Sequence, residues 1–153
     1  MWANEDATAA FARWLAQQPA LLDAVLTLRG DLGAGKTTLV RHLLRALGVG
    51  GRIKSPTYAV VEPYNLAAGS GQPTHPAWHF DFYRFSDPRE WEDAGFRDLF
   101  ASPGLKLCEW PDHAAGLMPV ADLDITLSVQ QDDQRQVQLQ AHSARGAHLL
   151  PPA

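Results

Sequence analysis

The chain has 153 residues, the length of one ordinary domain with an adequate core. Lysine and arginine number 13 against 17 aspartates and glutamates, a formal net charge of −4, which excludes a protein that holds nucleic acid through its overall charge alone. The single cysteine, Cys108, excludes a disulfide framework and is expected in a strand core. Since no apolar stretch reaches membrane-spanning length, we expect a cytoplasmic protein without a membrane partner.

The first predicted element is an amphipathic helix that begins after Asn4, a suitable N-cap, and ends before Pro19. A short apolar run at 24–28 predicts a buried strand. A second amphipathic helix is predicted at 38–47, where leucines and a valine fall on one face. The loop between this strand and this helix carries the most informative motif of the chain.

The loop reads Gly30-Asp31-Leu32-Gly33-Ala34-Gly35-Lys36-Thr37, which matches the phosphate-binding pattern G-x-x-x-x-G-K-[ST]. Glycine lets the backbone approach a phosphate closely, so successive amides from Asp31 to Gly35 are expected to surround the β-phosphate. Lys36 brings a positive charge to the β- and γ-phosphate oxygens, and the Thr37 hydroxyl is placed to be a Mg²⁺ ligand. Strand, loop and helix in this order predict that the chain binds a nucleoside triphosphate.

Two extended segments are predicted next, at 58–64 and 77–83. The segment 67–76 between them is rich in glycine, serine and proline, which predicts a mobile hairpin-like loop. Asp87 and Pro88 predict the start of a helix, as its cap and its first residue. Another buried strand is predicted from Leu105 to Cys108.

The hydrophobic period changes near the end of the chain. Alternation of apolar and polar residues from Leu123 to Leu139 predicts an antiparallel hairpin with one wet face. Residues 142–153 show no periodicity and are expected to fray. The predicted fold is α/β, a three-layer P-loop NTPase domain over residues 1–141 with a mixed, mostly parallel sheet and a C-terminal antiparallel hairpin.

Two acids, Asp81 and Glu109, each end a predicted strand. The carboxyl ends of parallel strands meet beside the phosphate loop, so one acid is expected to organise the Mg²⁺ shell and the other to hold metal or polarise the attacking water. The sequence leaves open which acid has which role. Thr57, within Ser55-Pro56-Thr57, lies where P-loop hydrolases often place a residue that senses the γ-phosphate.

Two further observations narrow the chemistry. The chain has no Asn-Lys-x-Asp run of the kind that reads guanine, so ATP is preferred over GTP. Several histidines lack metal-ligand spacing and are expected to be structural: His42, His75, His79 and His113.

Several motifs coincide in order: the phosphate loop continued to Thr38, then Ser55-Pro56-Thr57-Tyr58, then His79-Phe80-Asp81-Phe82-Tyr83-Arg84, then Glu109-Trp110-Pro111. In this arrangement the chain resembles the TsaE (YjeE) family, small bacterial ATPases of tRNA threonylcarbamoyladenosine modification. The P-loop is shared by many families, whereas the second half of this series is far more specific. The resemblance covers roughly residues 5–130.

The resemblance implies an ATPase that acts with two partner proteins, of the TsaB and TsaD types, and reaches tRNA only through their complex. The product is N6-threonylcarbamoyladenosine at adenosine 37 of tRNAs that read codons beginning with A, and ATP turnover resets the complex between rounds. By the same likeness, Lys36, Thr37 and Thr38 bind phosphate and Mg²⁺, and Thr57 belongs to the first switch. Asp81 and Glu109 are metal-site acids, and Trp110 is a functional aromatic residue.

Turnover by the chain alone is expected to be slow, because no arginine finger is evident and a partner could supply one. A small-molecule kinase is a second hypothesis, although the segment 67–76 carries no arginine for a lid. A nucleotide-dependent switch with negligible turnover is a third. The chain departs from the family pattern in the length of segment 67–76 and in the lack of a strand before the first helix.

Overall fold

In the computed structural model of the protein, residues 2–31, 33–51, 53, 60–66 and 75–152 are described. The helices are α1 (Glu5–Ala16), α2 (Lys36–Ala46), α3 (Pro88–Asp93), α4 (Phe96–Ala101) and α5 (Ala144–Ala147). The strands are β1 (Val25–Arg29), β2 (Val61–Leu66), β3 (His75–Asp81), β4 (Leu105–Glu109), β5 (Leu123–Val129) and β6 (Arg135–Ala141). No helix in these ranges combines the length and the apolar character that crossing a bilayer requires.

The six strands form one sheet in the order β2-β3-β4-β1-β5-β6. The four central strands run parallel, while β2 and β6 pair antiparallel to their neighbours at the two edges. The predicted mixed, mostly parallel sheet and the C-terminal hairpin are therefore confirmed. Because β1 lies between β4 and β5, the loop after β1 emerges at the centre of the sheet, beside the end of β4.

Apolar side chains cover the two faces of the sheet in different ways. Helices α1 and α2 pack on one face through an aliphatic cluster that includes Leu15, Leu26 and Leu43. Helices α3 and α4 pack on the other through an aromatic cluster, in which the rings of Phe80 and Phe100 stack at 4.6 Å. The three-layer prediction is confirmed, and Cys108 is fully buried in β4 as expected.

The predicted helix caps are present. The side chain of Asn4 accepts a hydrogen bond from the amide of Ala7 at 3.1 Å, and that of Asp87 accepts one from the amide of Arg89 at 3.0 Å. Helix α2 begins at Lys36, two residues earlier than predicted, because Gly35 adopts a left-handed conformation and caps it. The lysine and threonine of the phosphate motif therefore lie in the first helical turn.

The two ends of the chain differ from expectation. The tail was predicted to fray, but α5 lies within it and Leu149 has no exposed surface. Its packing is close, because a Cβ at Gly146 would lie 1.7 Å from the carbonyl oxygen of Asp122. At the other end, Trp2 forms an isolated antiparallel bridge with Arg135, so one residue before α1 does pair with the edge strand β6.

Candidate functional site

The phosphate loop joins the end of β1 to the start of α2 and needs glycine at both ends. At Gly30 the backbone φ is 143°, and a Cβ there would lie 2.4 Å from the carbonyl oxygen of Leu127 in β5. Gly35 has a φ of 104°, in the left-handed region that favours glycine. Because Gly35 caps α2, the unpaired amides of the first helical turn remain available to an anion.

Lys36 is held inside this loop. Its side chain is buried, with 4% of the residue exposed, and Nζ donates a hydrogen bond to the carbonyl oxygen of Gly30. The same Nζ lies 3.5 Å from the centroid of the Trp110 ring, within cation–π range. Burial lowers the pKa of Lys36, while the nearby charges of Glu109, Asp81 and Asp31 oppose that shift.

Thr37 and Glu109 contact each other across the loop. The Thr37 hydroxyl lies 3.1 Å from Oε1 and 3.2 Å from Oε2 of Glu109, which ends β4 with 2% of the residue exposed. Parallel pairing of β1 with β4 places Glu109 beside Leu28, two residues before the phosphate loop. The sheet register therefore brings this carboxylate to the threonine of the phosphate motif.

Asp81 lies beside Glu109 at the same edge of the sheet. The two residues are register partners in the parallel pair of β3 and β4. Oδ1 of Asp81 accepts a hydrogen bond from the amide of Tyr83 at 3.0 Å. Burial raises the pKa of Asp81 and the charge of Glu109 adds to the rise, while the amide of Tyr83 acts in the opposite direction.

These side chains surround one cavity of about 260 Å³, which we call the phosphate cavity. Its lining residues include Lys36, Thr37, Thr38, Asp81, Glu109 and Trp110. A second cavity of about 150 Å³ lies along the other side of the loop, lined in part by Trp2, Thr38 and Leu127. The sequence-predicted acids, lysine and threonines thus converge on one space.

Trp110 forms one wall of the phosphate cavity and has an unusual backbone. Its φ of 56° lies in the left-handed region, which a large side chain rarely occupies. The Trp110 ring packs against Tyr83 at 5.0 Å and against His113 at 5.6 Å. The same ring lies over the ammonium group of Lys36, 3.5 Å from its Nζ.

The donor set suits Mg²⁺. Within the described residues, no three His, Cys, Asp or Glu side chains converge as a metal cage. Mg²⁺ bound with a nucleotide needs only one or two protein oxygens beside phosphate oxygens and water. The adjoining oxygens of Thr37 and Glu109 meet that requirement, so the residues present fit the ion.

Comparison with known proteins decides the family. The family model for threonylcarbamoyl adenosine biosynthesis protein TsaE matches residues 2–137. This chain belongs to the TsaE family. The tRNA threonylcarbamoyladenosine biosynthesis protein TsaE of Haemophilus influenzae is 42% identical over 123 residues, which cover 80% of this chain and 73% of that protein. The TsaE protein of Bacillus subtilis is 36% identical over 113 residues, 74% of this chain and 66% of that protein.

The fold agrees with a solved structure. The crystal structure of Bacillus subtilis YdiB superposes with a TM-score of 0.73 at 30% sequence identity, covering 95% of this chain and 86% of that one. The resemblance drawn from the sequence motifs is therefore confirmed at the level of the family and of the fold.

His79 and Arg135 contact the predicted site residues but were not predicted from the sequence. His79, expected to be structural, contacts Glu109: its Nε2 lies 2.6 Å from Oε2. A local signal was available, because His79 and Asp81 are two residues apart in β3 and so point to the same face. Arg135 donates from Nε to the carbonyl oxygen of Ala34 at 3.0 Å. Nothing local marks this arginine, which lies about a hundred residues after the loop it contacts.

Some sequence predictions lie outside the described residues. These are Leu32 of the phosphate loop and the candidate switch residues Ser55 and Thr57. Most of the predicted loop at 67–76 is also outside them, although its last two residues belong to β3.

Proposed function

We propose that this TsaE-family chain is a Mg²⁺-dependent ATPase that supports threonylcarbamoyladenosine modification of tRNA. The observation that carries the proposal is the convergence of Lys36, Thr37 and two strand-end carboxylates on the phosphate cavity. The names of the relatives support the pathway, since they are tRNA threonylcarbamoyladenosine biosynthesis proteins. We further propose that the chain acts with two protein partners of the TsaB and TsaD types.

Lys36 has a defined part in ATP binding. In the free protein its ammonium group is shared between the Gly30 carbonyl and the Trp110 ring. A phosphate oxygen is a stronger partner than either, since a hydrogen bond between two charged groups exceeds one to a neutral acceptor. Lys36 therefore turns to the β- and γ-phosphates when the nucleotide binds, and the loop amides complete the cradle.

The hydrolytic step divides among the remaining residues. Thr37 donates its hydroxyl hydrogen to Glu109, which leaves an oxygen lone pair directed away from that carboxylate. Thr37 and Glu109 would hold Mg²⁺, which when bound neutralises charge on the phosphates. Asp81, whose pKa is raised by burial, is the residue that we assign to orient and polarise the attacking water.

The second cavity suits the nucleoside part of ATP, because it shares Gly35 and Thr38 with the phosphate cavity. We expect Trp2→Ala to weaken ATP binding while leaving the binding of inorganic triphosphate unchanged. Calorimetric titration with both ligands tests this placement. An equal loss of affinity for both ligands would show that the nucleoside does not bind in this cavity.

The first test of the function is phosphate release from ATP with Mg²⁺, for the chain alone and with its two proposed partners added. We expect slow turnover alone and strong stimulation by the partners. Lys36→Ala should abolish tight ATP binding, whereas Asp81→Ala should spare binding and remove turnover. Turnover that ignores the partners but rises with a small-molecule acceptor would establish a kinase instead.

A further inference from the structure

His79 occupies an unusual position for a histidine without a recognised role. It lies in β3 with 1% of the residue exposed, and its Nε2 is 2.6 Å from Oε2 of Glu109. Glu109 is similarly buried, so bulk water hydrates the polar atoms of neither side chain. The contact is a buried hydrogen bond that supports Glu109, a lining residue of the phosphate cavity, from behind.

The geometry assigns the hydrogen of the imidazole. A carboxylate accepts and does not donate, so the Nε2 that faces ionised Glu109 carries a hydrogen. Nδ1 is buried and has no hydrogen-bond partner among the described residues. A purely structural histidine normally satisfies both nitrogens, because an unpaired buried polar atom costs free energy. Among the described residues, the side-chain hydrogen bond that His79 makes goes to Glu109.

Thr37 alone does not fix the orientation of that acid. Its hydroxyl lies 3.1 Å from one oxygen of Glu109 and 3.2 Å from the other, so it does not distinguish them. His79 contacts only Oε2, and at a shorter distance. The histidine therefore determines which carboxylate oxygen stays available to Thr37 and to a cation.

We propose that His79 is a positioning residue that holds Glu109 through its Nε2–H group and thereby fixes the oxygen pair that Thr37 and Glu109 present to Mg²⁺. The inference rests on the proposed function, because it assigns a role within the same site. His79 is not among the lining residues of the phosphate cavity, so it acts through Glu109. Partners that orient a metal ligand in this way are typically worth about 10- to 100-fold in metal affinity.

The matched test compares His79→Gln with His79→Leu. Glutamine retains an N–H group that can reach Glu109, whereas leucine fills a similar volume without a donor. ATP binding is measured by calorimetry at a series of MgCl₂ concentrations and again in EDTA. We expect His79→Leu to weaken the Mg²⁺-dependent part of ATP binding about 10- to 100-fold and to leave binding in EDTA unchanged. His79→Gln should restore most of the Mg²⁺ dependence.

The chain offers a close control in His142, whose Nε2 also lies 2.6 Å from a carboxylate oxygen, that of Asp124. Thermal unfolding of all variants separates loss of fold from loss of Mg²⁺ dependence. His142→Leu should leave the Mg²⁺ dependence at the wild-type value. A wild-type Mg²⁺ dependence in His79→Leu, or equal losses in His79→Gln and His79→Leu, would overturn the proposal.

A measurement without nucleotide makes the two proposals separable. NMR of the ¹⁵N-labelled histidine rings reports the tautomer, and His79→Gln assigns the His79 signals. We expect the Nε2–H tautomer in the free wild-type protein and a shifted Nε2 resonance in Glu109→Gln. An Nδ1–H tautomer in a protein that binds ATP overturns the role of His79 alone. Absence of ATP binding by the wild-type chain overturns the proposed function, and the role of His79 with it.

Discussion

The molecule uses the same three residue types, a threonine, a histidine and an acid, in two places. In the phosphate-loop cluster, Glu109 contacts Thr37 and His79. In what we call the sheet-face cluster, Asp124 of β5 contacts Thr27 of β1 and His142 after β6. The histidine-to-carboxylate distance is 2.6 Å in both. Residue types alone therefore do not separate a candidate catalytic site from a structural one.

The surroundings of the two acids differ in charge. Arg29 lies 3.6 Å from Asp124 and also pairs with the exposed Asp112. Burial pushes the pKa of Asp124 upward, but hydrogen bonds from Thr27 and His142 and the charge of Arg29 bring it below its usual value. The sheet-face cluster thus contains its own compensating cation and gains stability from its ionised acid.

The negative charges of Asp81 and Glu109 in the phosphate cavity are neutralised less completely by neighbouring groups. Two cations line the cavity: Lys36 is engaged by the Gly30 carbonyl and the Trp110 ring, and Arg135 donates to the carbonyl oxygen of Ala34. Burial raises the pKa of Asp81, so its ionised form is disfavoured there. A site that is left short of positive charge is suited to receive a cation, whereas one that is already neutralised is not.

The largest effect should come from exchanging the acids for their amides one cluster at a time. We expect Glu109→Gln to lower ATP turnover at least about 100-fold, because the amide is neutral and cannot serve as an anionic ligand or base. Asp124→Asn should leave turnover unchanged. Phosphate release by both purified variants, each with the partner proteins present, measures the difference. Equal turnover in the two variants would show that the two acids do not differ in function.

The next effect concerns stability and pH. Asp124→Asn is expected to destabilise the protein by about 2 kcal/mol at pH 7, through the loss of charge-assisted hydrogen bonds. Since the folded pKa of Asp124 is lowered, its contribution is present above the ordinary value of 3.8 and is lost as the pH falls through the folded pKa. Urea unfolding of wild type and variant at pH 7 and at acidic pH should show the gap closing. A gap that is constant with pH contradicts the assignment.

A smaller effect of opposite sign is expected at Asp81. Because burial disfavours the ionised carboxylate, Asp81→Asn should stabilise the fold by about 1 kcal/mol at pH 7 while removing turnover. The folded pKa of Asp81 is raised, so this gain should shrink as the pH falls towards its ordinary value and the wild-type acid is protonated. Thermal unfolding paired with phosphate release measures both quantities. Destabilisation at pH 7 would show that Asp81 is structural.

The smallest effect is expected at the cation of the sheet-face cluster. Arg29 is partly exposed, so Arg29→Gln should cost only about 0.5–1 kcal/mol, less in high salt, and should leave ATP binding unchanged. Urea unfolding at two salt concentrations provides the measurement. A loss of ATP binding in this variant would show that the two clusters are coupled.

The sequence predicted much of the site because the relevant signals are local. The glycine pattern before Lys36 and the acid at the end of an apolar strand depend on backbone conformation and on strand ends, which neighbouring residues determine. The family motifs carried the same information. The boundary of α2 was wrong by two residues, because a left-handed Gly35 allows the helix to begin within the motif itself.

The tail and the edge of the sheet were predicted less well. Leu149 and Gly146 show no periodic pattern, yet they pack against the body of the domain, with Gly146 close to the carbonyl of Asp122. The bridge between Trp2 and Arg135 likewise joins residues that are far apart in the chain. Contacts of this kind depend on side-chain shape and strand register, which the local hydrophobic periodicity does not report.

The α/β class, the phosphate loop and the two strand-end acids were predictable from the sequence, because each follows from short-range rules of backbone geometry and strand polarity. Which histidine joins the site became evident from the packed strands alone. His79 and His142 both approach carboxylates at 2.6 Å, and the sheet register places the first beside the phosphate cavity and the second on the opposite part of the sheet, near Arg29. The two histidines differ in the charged side chains that surround them, and strand order and register determine which side chains those are.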